Sequence, residues 1–172
     1  MSRPQRHRSG RWRIGAACAA LLTLSALPAS AEPVPVPVVV FDFELIDTSL
    51  EGELNGPRAD ETARLAALAE ALRAAYRADP DHALIEVAQD TRPQDCRGCV
   101  ETMAAHLGAE RAVTGTVQKV SNLILNINVV VRDIGRPDPV VHSADIRSNT
   151  DESWARGLSW LARNRLGLRS AP

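Results

Sequence analysis

The stretch from Leu123 to Asp133 alternates without a break. Leu123, Leu125, Ile127, Val129 and Val131 fall on one side, and Ile124, Asn126, Asn128, Val130 and Arg132 on the other. A period of two sustained this long is a β-strand with one apolar face, and such a face has to be covered by another layer. Across Ser121-Asn122 it meets a second run, Ala112 to Val120, and Gly135 to Pro139 turns the chain into a third at about Val140 to Arg147. Consecutive strands joined by short turns make an antiparallel meander.

The first half of the chain reads differently. Val38 to Ile46 is a strand, with Val39, Phe41, Phe43 and Leu45 on one face and Asp42 and Glu44 on the other. The prolines of residues 32–37 predict an extended lead-in held away from the sheet, because proline lacks an amide donor. Thr48 to Pro57 reads as a loop. Asp60 is the expected N-cap of a helix to about Ala78, with Leu65, Leu68, Leu72 and Tyr76 inward and Asp79-Pro80 as the stop. Ala83 to Ala88 reads as a short strand and Gln89 to Asp95 as a loop. Cys96 to Leu107 reads as a helix with Val100, Met103 and Leu107 inward and Gly108 beyond its end. At the far end, Asn149 and Glu152 suggest a capping box for a helix that buries Trp154, Leu158 and Leu161, ends at Gly167, and carries Arg163 and Arg165 where the dipole favours cations.

The order β-α-β-α-β-β-β-α predicts an α/β (α+β) fold: one mixed sheet of about five strands, ending in the meander and a C-terminal helix. Residues 38–167 form the expected single domain and 168–172 a tail. No internal repeat of solenoid length is visible.

Charge separates a leader from this domain. Five arginines and no acid lie before Ile14, and every acid lies at or after Glu32. The apolar run Ile14 to Leu27, then Pro28 and the small residues Ala29-Ser30-Ala31, has the order of a signal peptide over residues 1–31, cleaved after Ala31. The run is shorter than the ~20 residues of a membrane span, so no span is expected in the mature chain. Removing those five arginines leaves fifteen of the 20 basic groups against all 21 acids, a formal charge of −6. Nucleic acid is thereby excluded as an expected partner. The location expected is periplasmic. The one lysine, Lys119, among many arginines reads as a coding bias.

Few residues offer chemistry. Cys96-Arg97-Gly98-Cys99 suits a short disulfide at the start of a helix in an oxidising compartment, or a redox pair with a thiol activated by the helix terminus. Haem attachment would need His where Val100 stands, and His106 lies about 10 Å along the helix from Cys99, too far to share a zinc ion. Asp42, Glu44, Asp47, Glu51 and Glu53 form an acidic run suited to a cation or a basic partner, or to a solvated strand end. Asn126 and Asn128 beside Lys119 and Arg132 would make a polar sheet face, for a ligand or for solvent. Trp160 is expected to stack on Arg156 or Arg163 and to offer a partner surface. No nucleophile turn, His-Glu-x-x-His site or phosphate loop is present, so neither a catalytic constellation nor a cofactor or metal is expected.

Phe41-Asp42-Phe43, the helix ending in Tyr76, the run from Leu107-Gly108-Ala109-Glu110 to Thr116-Val117, and Val129-Val130-Val131-Arg132-Asp133 together resemble the amino-terminal domain of the Tol translocation protein. The same pattern resembles the curli secretion subunit and the outer-membrane activator of penicillin-binding proteins. Phe41 to Gly52, Thr114 to Asn128 and Asn149-Thr150-Asp151-Glu152-Ser153-Trp154 resemble an uncharacterised family of secreted proteobacterial proteins. These resemblances imply a non-enzymatic periplasmic accessory protein that acts by contact with an unknown envelope protein. The alternative is a thiol-disulfide or metal-handling factor that uses Cys96 and Cys99, with a quinoprotein-linked oxidation system as the context the resemblance implies.

Overall fold

A computed structural model describes residues 34–88 and 98–169 of the chain. The leader, the loop from Gln89 to Asp95, and Cys96 lie outside the described residues. The elements are β1 (Val36–Asp47), α1 (Leu50–Asn55), α2 (Ala59–Arg77), β2 (His82–Ile85), α3 (Cys99–His106), β3 (Arg111–Ser121), β4 (Ile124–Asp133), β5 (Val140–Ile146) and α4 (Asp151–Asn164). The five strands form one mixed sheet in the order β2-β1-β3-β4-β5. β1 runs parallel to β2 and β3, and β3, β4 and β5 form the antiparallel meander.

One face of the sheet carries the main core. Leu68, Leu72 and Tyr76 of α2 and Trp154, Leu158 and Leu161 of α4 close over Val113, Val117, Leu125, Ile127 and Val129. Each such side chain contributes roughly 1.5–3 kcal/mol when fully buried. The helical stripes and the apolar side of β4 match the sequence reading, except that Leu123 stands exposed in the turn. The other face holds a smaller core, in which Val100 and Ala104 of α3 meet Val39, Phe41 and Ala112. Met103 and Leu107, expected inward, are exposed instead. Val100 and Ala104, one turn apart, form the stripe that faces the sheet.

Strand β1 departs from simple alternation. Val40 pairs with Val113 and Phe43 with Gly115, so Phe41 and Asp42 together oppose Thr114. This β-bulge reverses the facing of the strand. Val38 and Val40 point to the main core and Val39 and Phe41 to the smaller one, whereas beyond the bulge Phe43 and Leu45 point to the main core. The uniform face expected for Val39, Phe41, Phe43 and Leu45 is therefore split. Asp42 and Glu44, expected side by side, diverge: Asp42 turns toward α2, and Glu44, between two inward residues, points to the opposite side. Arg73 fills the bulge, with Nε donating to the Val40 carbonyl at 3.0 Å and a terminal nitrogen donating to Asp42 at 2.6 Å.

Local chemistry explains the other differences. Pro37 lies within β1, not in a detached lead-in. The Val36 amide donates to Asp81 on the β2 side, so Pro37 faces β3, where its carbonyl accepts from Glu110 just before that strand begins. The missing proline donor therefore meets no strand. The expected loop after Thr48 contains α1, started by Ser49, whose hydroxyl accepts from the Gly52 amide at 3.1 Å. Helix α2 begins one residue before Asp60, with Arg58 at the cap position. Thr150, and not Asn149, caps α4 by accepting from the Ser153 amide. That helix ends at Asn164, ahead of the expected Gly167.

Gly115 is required by the bulge, because a Cβ there would lie 2.3 Å from the Phe43 ring. Gly115→Ala is expected to destabilise the fold by about 1–3 kcal/mol through overpacking. Urea titration should show part of that loss restored in Gly115→Ala with Phe43→Leu. An unchanged midpoint in the single variant would contradict the packing described.

Candidate functional site

Lys119 continues the inward period of Val113 and Val117 on β3, and it ends up completely buried. Its ammonium donates to Glu61 Oε1 at 2.7 Å and to Glu51 Oε2 at 3.3 Å, and Asp47 Oδ2 lies 3.2 Å away. Glu61, on the first turn of α2, is equally inaccessible. It also accepts from the Asn149 amide at 2.6 Å. Asn149 in turn accepts from the Trp154 indole at 3.0 Å and donates to Asn122 in the β3–β4 turn. Glu51 is held as well by Asn122 at 2.9 Å and Arg58 at 2.8 Å. A single ammonium thus ties β3 to β1, α1 and α2, and Asn122 and Asn149 extend the network to the β3–β4 turn and α4.

Burial pulls the Lys119 ammonium toward a lower pKa, but its bonds to Glu61, Asp47 and Glu51 outweigh this and raise it above the ordinary lysine value. Burial pushes Asp47 up, and bonds from Ser49 and Lys119 bring it net below the usual carboxylate range. Asn122, Arg58 and Lys119 lower Glu51. The hub is an electrostatic lock, in which Asp47 Oδ2 meets only the ammonium and Glu61 Oε2 is buried without a hydrogen-bond partner among the described residues. Among the described residues no group of three or more His, Cys, Asp and Glu side chains is placed to hold a metal ion.

A second place is open. β5 lies at the edge of the sheet, and between it and α4 runs a groove of about 680 Å³. Residues 143–148 line one wall, and Arg156, Gly157 and Trp160 line the other. Gly157 allows the close approach, since a Cβ there would lie 2.7 Å from Ile146. Trp160 is 43% exposed. The guanidinium of Arg165 lies 5.4 Å over its ring. Arg156 reaches Glu152 at 3.7 Å, with both side chains largely in solvent.

The model of the DUF3280 family, described as "Protein of unknown function (DUF2380)", matches residues 36–166. The chain belongs to this family. That agrees with the resemblance to an uncharacterised family. No curated protein matches the chain. Among solved structures, the C-terminal domain of LpoB from Salmonella enterica is similar at 13% identity and a TM-score of 0.46, over 69% of this chain and 88% of that one. The PelC dodecamer from Paraburkholderia phytofirmans gives 14% and 0.41, over 75% and 84%. Lipoprotein GNA1162 from Neisseria meningitidis gives 15% and 0.38, over 77% and 96%. Likenesses this distant establish no shared function.

In this DUF3280 domain the candidates from sequence part company. Asp47 and Glu51 meet at Lys119. Asp42 is taken by Arg73, and Glu44 lies on the opposite face from the hub. Trp160 joins the sheet edge in one groove. Cys99 opens α3, whereas Cys96 lies outside the described residues. Asn126 and Asn128 do share the open sheet face, where Asn126 donates to Asp145 and Ser143 donates to Asn128. Lys119 is on the other face, so the expected polar group with it does not form; Arg132 pairs with Glu101 of α3 at 3.0 Å. Lys119 is a structural cation, not a coding accident. Glu61, Arg73 and Asn149 went unmarked as site residues in the sequence reading. Glu61 sits four residues before Leu65 on the inward stripe, and that signal was available.

Replacing Lys119 by Met leaves buried carboxylates without their cation, and the expected loss is about 3–5 kcal/mol at neutral pH. The sign with pH follows from the shifts. Lowered carboxylates stabilise the fold above their unfolded values, and this is lost as pH falls through the folded ones. The raised ammonium stabilises below the ordinary lysine value, and this is lost as pH rises through the folded one. Acidification should therefore weaken the parent protein and relieve Lys119→Met, as read by urea midpoints from neutral to acid pH. Parallel pH curves would contradict the lock.

Proposed function

We propose that this DUF3280 domain is a non-enzymatic accessory protein of the bacterial envelope that binds an extended segment of another protein along β5. The carrying observation is the free outer edge of β5, unpaired among the described residues, beside the groove under Trp160. An unpaired strand presents backbone donors and acceptors that an added strand satisfies, while a neighbouring pocket selects side chains. Arg147 and Arg156 line this groove, and Arg147 has no ion-pair partner among the described residues. The fitting segment is acidic and apolar.

Export supports the envelope setting. The basic leader and its apolar run have the order of a signal peptide, with cleavage after Ala31 and a periplasmic domain over 38–167. No helix among the described residues is long and apolar enough to cross a membrane. With partner bound, hydrogen exchange should slow along residues 140–146, and Trp160→Ala and Arg147→Glu should each weaken binding at least about tenfold, or 1.4 kcal/mol. Both side chains are exposed, so far-UV circular dichroism should be unchanged. Full binding by both variants would overturn the assignment.

For Cys96 and Cys99 the reading is a structural bridge at the start of α3. A reduction potential below about −300 mV is expected for such a bridge. A potential near that of the periplasmic oxidants would favour thiol exchange instead.

A further inference from the structure

Half of the large apolar side chains exposed among the described residues gather at one end of the sheet: Ile46, Leu50, Leu54, Val120, Leu123 and Ile124 are six of twelve. Single exposed aliphatic residues are ordinary on a protein surface, whereas a concentration of them marks a contact site. Pairing and hydrogen bonds place them together. Ile46 pairs with Gln118 near the end of β1, and Val120 bulges from β3 where Ser121 pairs with Ile124. Leu123 tips the turn. Helix α1 is fastened to that turn, because Glu51 accepts from Asn122 at 2.9 Å and the Thr48 amide donates to the Lys119 carbonyl at 2.8 Å. Leu50 and Leu54, one turn apart on α1, stand exposed beside it, Leu54 by 72%.

The exposure is built in, since the Lys119 hub and the Ser49 cap fix α1. Charge selects among the possible occupants. The carboxylates at this end are Asp47, Glu51, Glu53, Asp60, Glu61 and Asp151, six against the cations Lys119, Arg58, Arg64 and Arg147, the last standing one residue beyond the Leu125–Ile146 pair. Lys119 is engaged by three carboxylates and Arg58 by Glu51 and Asp60. Arg64 is engaged by Asp60 and Asp151. Glu53 is exposed and has no partner among the described residues. The surroundings of the apolar end are therefore net acidic. A second copy would oppose like charge to like, and so would an anionic bilayer.

We infer that this end of the domain receives an amphipathic helix of a protein partner, its aliphatic stripe on Leu54, Leu123 and Ile124 and its lysines or arginines toward Glu53 and the neighbouring carboxylates. The surface adjoins the Arg147 end of the β5 groove, since Leu125 pairs with Ile146 and the Asn149 amide donates to the Asn122 carbonyl, but it uses other side chains and stands whether or not that groove is used.

A synthetic leucine–lysine helix, the same helix with glutamate for lysine, and phosphatidylcholine vesicles test it against the purified protein. The leucine–lysine helix should bind at least about tenfold more tightly than its acidic counterpart, with a salt-sensitive affinity, and should slow hydrogen exchange in residues 46–55 and 119–125. Leu54→Ser and Leu123→Ser should each weaken binding at least about fivefold, whereas Leu107→Ser, which removes an exposed leucine outside this end, should not. Glu53→Lys should narrow or reverse the preference between the two helices. A footprint elsewhere, equal loss in Leu107→Ser, or no discrimination between the helices overturns the inference. Vesicles that protect these residues while the helix does not would reassign the surface to lipid.

Discussion

The ammonium of Lys119 is the point on which the architecture turns. Removing a lysine from water costs several kcal/mol, and the cost is recovered where the charge meets well-placed carboxylates. Here Glu61 comes from a helix, Asp47 from the end of the central parallel strand and Glu51 from a helix of six residues. None of these elements has the same reason to be where it is without the others. Helix α1 illustrates the dependence: it buries no residue of its own, and so short a helix does not persist in water unaided. Its position rests on Glu51, the Ser49 cap and the arginine beside it.

A second buried cation performs a different task. Arg73 occupies the gap that the β1 bulge opens, satisfying a carbonyl and a carboxylate at once. The two cations enter the main core from opposite layers, Lys119 from the sheet and Arg73 from α2. Each joins the same two layers. The apolar contacts between these layers set how much surface is buried, while the two charged contacts fix which residue of the helix stands over which residue of the strand.

Much of this was legible from residues. The meander, the stripe of α2, the burial of Trp154, Leu158 and Leu161, and the mixed sheet follow from periods of two and of three to four. Lys119 and Glu61 were also visible, as charged residues where the period demands apolar ones. The bulge was not. It inserts one residue into a strand whose alternation continues on paper, so Phe41 and Phe43 looked equivalent although they belong to different cores. Helix α1 was obscured by Gly52 within it, by Gly56 at its end and by its length, and Asn149 by a position next to the true cap. For the candidate surfaces, the acids of the run were legible but not the cations they meet. Most of these acids face inward to a lysine or arginine, and the neighbouring leucines carry the exposed surface.

The burial of Lys119 also sets how this protein meets amine chemistry. It is the one lysine of the chain, and the surface cations of the domain are arginines. In the folded state a reagent that acylates primary amines finds the chain terminus and little else. Modification of Lys119 requires α1, α2 and the β3–β4 turn to separate first. The single ε-amine is thereby a covalent clock for the opening of the domain, silent while the lock is closed.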